Sequence, residues 1–145
     1  MTINKYIDRD RILRKIAYIK EEIYPLNELL QSKTFSEILK DKWQIKGIKY
    51  SLQTSIEAMI DIAYHISSKA FNKAPLDGRD AFITLAQNGV FLEENLLTYL
   101  KMIAFRNKIV HGYQNIEDEK ILEIAKNNIS DFINFISEIL NFINN

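Results

Sequence analysis

Cysteine is absent from this 145-residue chain, which excludes thiol nucleophiles, disulfides and thiolate-bound zinc together. Glycine and proline are nearly as scarce, at 4 and 2 residues. A sheet protein needs a turn roughly every 8–12 residues. This chain cannot supply them, so long helices are expected. Only two histidines occur, His65 and His111, too few for a multi-histidine metal centre. Neither metal nor cofactor is therefore expected. No apolar run approaches the roughly 18–20 residues that span a bilayer. The opening MTINKYIDRDRILRK is charged throughout and lacks the apolar stretch of a signal peptide. With the missing cysteine, this fits a cytoplasmic protein without membrane contact. An excess of charge is also missing: 19 basic residues face 19 acidic ones. That argues against gripping nucleic acid by bulk electrostatics. Polyanion chemistry would have to come from a local cluster, one that a second subunit could complete.

What is present is an apolar fraction of 47%, enough at this length for one real hydrophobic core. A single domain over residues 1–145 is expected, without repeat or linker. The first helical pattern runs from about Asp8 to Leu30, with Ile12, Ile16, Ile19 and Ile23 on one face. Pro25 should kink it or end its first segment. After a break near Ser32–Thr34, a second pattern extends from Ser36 to Ala70. Ile38 and Leu39 make a preliminary turn in it before Gly47 interrupts, and a firm stripe follows from Ile48 to Ile66. FNKAPLDG, Phe71 to Gly78, is the clear loop. A short helix over Arg79–Gln87 stops at Asn88-Gly89. Glu93 and Glu94 open a fourth helix reaching His111, where Gly112 suits a left-handed cap. The last helix spans Asp118–Ile143, its Phe132, Phe135 and Phe142 reading as core or subunit contact. The expected fold is all-α, an antiparallel bundle of four long helices plus a short one.

RNKIVHGY, Arg106 to Tyr113, is either an ordinary helix end or a site. Drawn at 100° per residue, the fourth helix gathers Glu94, Thr98, Lys101 and Lys108 into a solvated stripe. Leu96, Leu97, Leu100, Ile103, Ala104 and Val110 occupy much of the rest. Arg106 lands roughly opposite the lysines, and Asn107 and His111 also fall outside the charged stripe. A guanidinium facing a core or an interface is costly unless paired. Two readings stay open. Arg106 pairs with a carboxylate of another helix, Glu57 or Asp61, and merely orders the bundle. Alternatively, an Arg, an amide and a His serve phosphoryl chemistry as clamp, orienting donor and acid–base group.

The neighbouring polar residues divide similarly. Glu57 and Asp61, one turn apart, either hold Arg106 and orient His111 or face water. Lys42, Lys46 and Lys49, with Trp43 and Tyr50 nearby, are either a solvated face or a contact for an RNA backbone. Arg9, Arg11, Arg14 and Lys15 read the same way, the solvated face favoured in both clusters. His65 reads as packing.

Arg106-Asn-Lys-Ile-Val-His111-Gly-Tyr113 resembles the R-x4-H-x-Y motif of the HepT toxins of the HEPN superfamily. SIEAMIDIAYHI (55–66), RDAFITLAQNGVF (79–91), LLTYLKMIAFRNKIVHGYQNI (96–116) and the apolar final helix follow that family's order and spacing. The resemblance implies a HEPN bundle and a metal-independent endoribonuclease, the toxin of a bacterial toxin–antitoxin pair, acting on RNA of the tRNA type. It implies a homodimer that brings two motifs into one cleft. The partner it implies is a minimal nucleotidyltransferase antitoxin of the MntA kind, which adenylylates the motif tyrosine. Arg106 would then stabilise the phosphorane-like charge, His111 act as general acid–base, Asn107 follow as the polar neighbour, and Tyr113 receive the adenylate. Gly112 stands where many relatives carry Glu. The same superfamily contains non-catalytic, substrate-binding partner subunits of nucleotidyltransferases, which is the alternative reading.

Overall fold

The first long helix, α1 (Arg9–Ser32), starts where the Asp8 side chain accepts a hydrogen bond from the Arg11 N–H at 3.0 Å. It buries Ile12, Ile16, Ile19, Ile23 and Leu26 on one face. This is the computed structural model of the chain, and it describes residues 3–112 and 116–145. Pro25 does not end α1. Pro25 and Glu21 are both exposed, so water can reach the Glu21 carbonyl that proline leaves without a helical partner. Burial of Leu26 and partial burial of Leu29 and Leu30 reward continuing for seven more residues.

A five-residue helix, α2 (Phe35–Leu39), follows, closed by a capping box between Thr34 and Glu37. The chain turns at Lys40–Asp41, where the Asp41 carboxylate caps α3 (Lys42–Ala70) through the Trp43 and Gln44 N–H groups. Gly47 therefore does not interrupt the pattern as expected. It lies inside α3 on an exposed position, and the break falls at the aspartate cap instead. Next come α4 (Gly78–Gln87), α5 (Glu93–His111) and α6 (Asp118–Ile143). The described residues thus form an all-α bundle, with α3 at its centre packed against every other helix.

Polar ties between the helices give their directions. Lys15 meets Asp61 at 2.9 Å and Ser51 donates to Glu22 at 2.9 Å, so α1 and α3 run antiparallel. Arg9 donates to Asn144 at 2.7 Å, so α6 ends where α1 begins. The core joining α4, α5 and α6 is aromatic. Phe82, Phe91, Tyr99 and Phe135 pack mutually with ring centroids 5.0–5.9 Å apart. Phe132 is also buried, and Phe142 packs against Phe71 at 5.8 Å. Among the described residues no helix is long and apolar enough to cross a membrane.

Candidate active site

Helix α5 carries the motif, and its placement begins at the other end. Leu92, its N-cap, offers no capping side chain. Glu138 of α6 does the work instead: it accepts from the Leu92 N–H at 2.8 Å, from the Asn95 amide at 3.2 Å and from the Tyr99 hydroxyl. The Tyr99 hydroxyl's acidity is suppressed, first by burial and then by this carboxylate. Tyr99, Met102, Ile103 and Phe105 form the covered side of α5. Arg106 follows on the same side, half-buried against α3.

There its guanidinium meets Glu57. Nε and Nη2 both donate to Glu57 Oε2, at 3.0 and 2.7 Å, with 26% and 33% of the two side chains exposed. Nη1 donates to Asn107 Oδ1 at 3.1 Å. The guanidinium is thus gripped on two edges and fixed in direction. It lines a cleft of about 350 Å3 together with Asn107, Ile103, Glu57, Asp61 and Arg79. Such a planar cation at a solvent-open cleft can bind a phosphate oxygen and stabilise charge that develops on it.

The wheel placed Asn107 and His111 away from solvent, and the structure corrects this: both are exposed. The covered arc of α5 centres near Tyr99, Met102 and Arg106, which leaves Asn107 and His111 more than a quarter-turn away. Leu97 and Val110 are uncovered too, at 61% and 42% exposure. His111 is the last residue of α5 and is not among the described residues lining the cleft. Gly112 closes the helix with φ 63°, its N–H bonded to the Lys108 carbonyl at 3.2 Å. Tyr113 lies outside the described residues.

Asp61 shares the cleft wall but pairs with Lys15, not with Arg106. Lys42, Lys46 and Lys49 are elsewhere on α3: Lys46 stacks over Trp43 at 4.8 Å, and Lys49 stands 4.0 Å from Asp118. None of the three lines the cleft. His65 accepts the Asp8 N–H at 2.9 Å through Nε2, and burial followed by the Arg11 charge lowers its pKa. Sequence reasoning missed Arg79 as a site residue. Its only signal was its place two residues after the Asp77 cap of α4. The folded loop carries it to the cleft: Asp80 accepts from the Leu76 N–H at 2.9 Å, and Ser67 donates to the Lys73 carbonyl at 2.8 Å.

This arrangement has relatives. The family model described as ribonuclease HepT-like matches residues 19–139. The mRNA nuclease HepT of Shewanella oneidensis is 32% identical over 130 residues, covering 90% of this chain and 96% of that protein. Among solved structures, a tri-AMPylated HEPN toxin of Shewanella oneidensis in complex with an MNT antitoxin superposes with a TM-score of 0.84 at 30% identity. That likeness covers 92% of this chain and 98% of the other. A toxin–antitoxin structure with AMP-PNP gives a TM-score of 0.80 at 30% identity, covering 90% and 98%. With most of its length matched by the family model and by a relative above 30% identity, the chain belongs to the HepT-like ribonuclease family.

Proposed function

We propose that the protein is a metal-independent endoribonuclease and the toxin of a toxin–antitoxin pair, acting in the cytoplasm. The observation that carries this is Arg106, held by Glu57 and Asn107 in the wall of a cleft, about one and a half turns before His111 on the same helix. In the proposed reaction a ribose 2′-hydroxyl attacks the adjacent phosphorus in line. His111, as general acid–base, handles the protons of the attacking hydroxyl and the leaving 5′-oxygen. Arg106 balances the added negative charge of the phosphorane-like transition state. The products are a 2′,3′-cyclic phosphate and a free 5′-hydroxyl. Glu57 and Asp61 serve as positioning residues, and Lys42, Lys46 and Lys49 as a distal RNA contact about 16 Å along α3.

The homodimer belongs to this proposal. Leu97 and Ala104 are exposed and Leu96 and Leu100 half-buried on the outer side of α5. A second copy covering that face would set two motifs side by side and give His111 an enclosed surrounding. The partner in silencing is a nucleotidyltransferase antitoxin that adenylylates Tyr113, as the tri-AMPylated toxin of the solved complex suggests. tRNA is the substrate class proposed here, although the Shewanella relative is named an mRNA nuclease.

The test is purified protein with total RNA in excess EDTA, followed by sequencing of the ends. Cleavage with cyclic-phosphate ends, lost by at least about 10²-fold in R106A and H111A, is expected; tRNA fragments distinguish that substrate from mRNA. Activity that survives in both variants, or that chelation abolishes, overturns the mechanism. Induction without the antitoxin should arrest growth, and co-expression should add adenylate mass to Tyr113 but not to Y113F.

A further inference from the structure

The cleft holding Arg106 does not stop at α3. Glu57 and Asp61 also wall a second hollow of about 710 Å3 on the α1 side, lined by Arg11, Arg14, Lys15 and Tyr18. The acids of both hollows are already engaged. Arg106 holds Glu57 and Lys15 holds Asp61. Asp8 and Asp77 cap helices, bound to the Arg11 and Asp80 N–H groups at 3.0 and 2.8 Å.

Three guanidiniums are left over. Among the described residues, Arg79 on the α4 side and Arg11 and Arg14 on the α1 side form no ion pair within 4 Å. Arg11 and Arg14 stand one turn apart on α1, an arrangement that repels itself and adds nothing to folding. Each hollow also has a tyrosine in its wall, Tyr64 in the cleft and Tyr18 in the groove. Forked cations for phosphates beside aromatic rings for bases is the chemistry that holds single-stranded nucleic acid.

We propose that the two hollows form one track for a single RNA strand, crossing α3 over the neutralised Glu57–Asp61 wall. Arg79 takes a phosphate on one side of the cleaved bond, and Arg11 and Arg14 take phosphates on the other. The role of the middle of the track rests on the ribonuclease reading above; binding along it does not.

The experiment measures anisotropy of a labelled 12-nucleotide 2′-O-methyl RNA, which cannot be cleaved, against the full chain from 50 to 200 mM KCl. R11Q/R14Q should weaken binding about tenfold and flatten the log–log salt slope by about 1.4, since each lost single-strand phosphate contact removes roughly 0.7. R79Q should flatten it by about 0.7. K33Q/K40Q removes the same charge at the C-terminal caps of α1 and α2, and should change affinity less than twofold. Unchanged affinity in R11Q/R14Q and R79Q, or an equal loss in K33Q/K40Q, overturns the track. So does loss of antitoxin binding with RNA binding intact, which would assign the groove to the protein partner. RNA bound in this pattern but never cut by the wild type would support the track and refute the nuclease reading alone.

Discussion

Glu57 is the sharpest place to perturb the site, because two of its three described hydrogen bonds come from Arg106, the third from the Gln53 amide at 3.3 Å. Glu57→Gln keeps the size and one acceptor but removes the charge. Three donors, Arg106 at 3.0 and 2.7 Å and Gln53 at 3.3 Å, converge on one carboxylate oxygen, so the grip depends on an acceptor that Gln reproduces only partly. Exposed pairs contribute about 0–1 kcal/mol and buried ones lose roughly 3–5 when broken. With side chains 26% and 33% exposed, this pair falls between them, at about 1–2 kcal/mol of stability.

The kinetic effect has two parts with opposite consequences. Losing a negative charge beside the bound phosphate favours substrate by about 1 kcal/mol at solvent-like dielectric, so KM should fall by up to roughly fivefold. Losing the fixed direction of the guanidinium costs transition-state stabilisation, and kcat should fall about tenfold, equivalent to roughly 1.4 kcal/mol. Steady-state cleavage of a fluorescent RNA separates the two, and urea unfolding of E57Q, R106A and the double variant gives the pair's coupling energy. A wild-type kcat in E57Q, in a protein that R106A inactivates, would refute the positioning role. A loss of kcat that vanishes on cooling by 10 °C would reduce Glu57 to a stabilising residue.

Other changes test the scaffold. Glu138→Ala orphans the buried Tyr99 hydroxyl, at about 1–3 kcal/mol, and removes the cap on the exposed Leu92 N–H, about 1 kcal/mol; Tm should drop by roughly 5–10 °C, and a drop under about 2 °C in a thermal melt would deny Glu138 its capping role. Gly47→Ala, with open space around the added methyl, should stabilise by about 0.5–1 kcal/mol in urea without touching the site. His65 gives a pH dependence. Its folded pKa lies below the ordinary 6.5, through burial and the Arg11 charge, opposed by Asp8. Below 6.5 the unfolded chain therefore binds more protons, and the contribution present above that pH is lost as pH falls. Melts at pH 7.5 and 5.5 should show a larger loss for wild type than for H65Q, whose amide can still accept the Asp8 N–H; equal losses would deny His65 that role.

Much of the fold was legible because it rests on local periodicity. The isoleucine spacing of α1, the stripe of α3 and the Gly112 cap are determined within a turn or two of their own residues. Elsewhere other contacts outweigh the local signal. Pro25 disfavours helix, yet α1 continues through it, in line with the pattern to about Leu30, because Leu26, Leu29 and Leu30 find partners beyond it. The misjudged place is Gly47, which weakens α3 where nothing competes with continuing, while Asp41, six residues before it, supplies the cap that decides the boundary.

The site divides along the same line. Arg106, Asn107 and His111 are adjacent in the chain, so their types and spacing could be read directly, and a helical wheel was enough to single out Arg106. The wheel failed for Asn107 and His111 because it assumes that every apolar residue on α5 is covered by its own chain. Leu97 violates that assumption, and a helix apolar on both sides fits a surface that a second copy completes. Glu57 and Arg79 reach the cleft from 49 and 27 positions away, through the packing of α3 on α5 and the loop before α4. Sequence reasoning narrowed the partner of Arg106 to Glu57 or Asp61, and the packing decides for Glu57; Arg79 could not be assigned. The phosphate-binding capacity proposed for the site is therefore a property of the assembled bundle: the motif contributes one guanidinium, and the fold decides which acids neutralise it and which arginines stay unpaired.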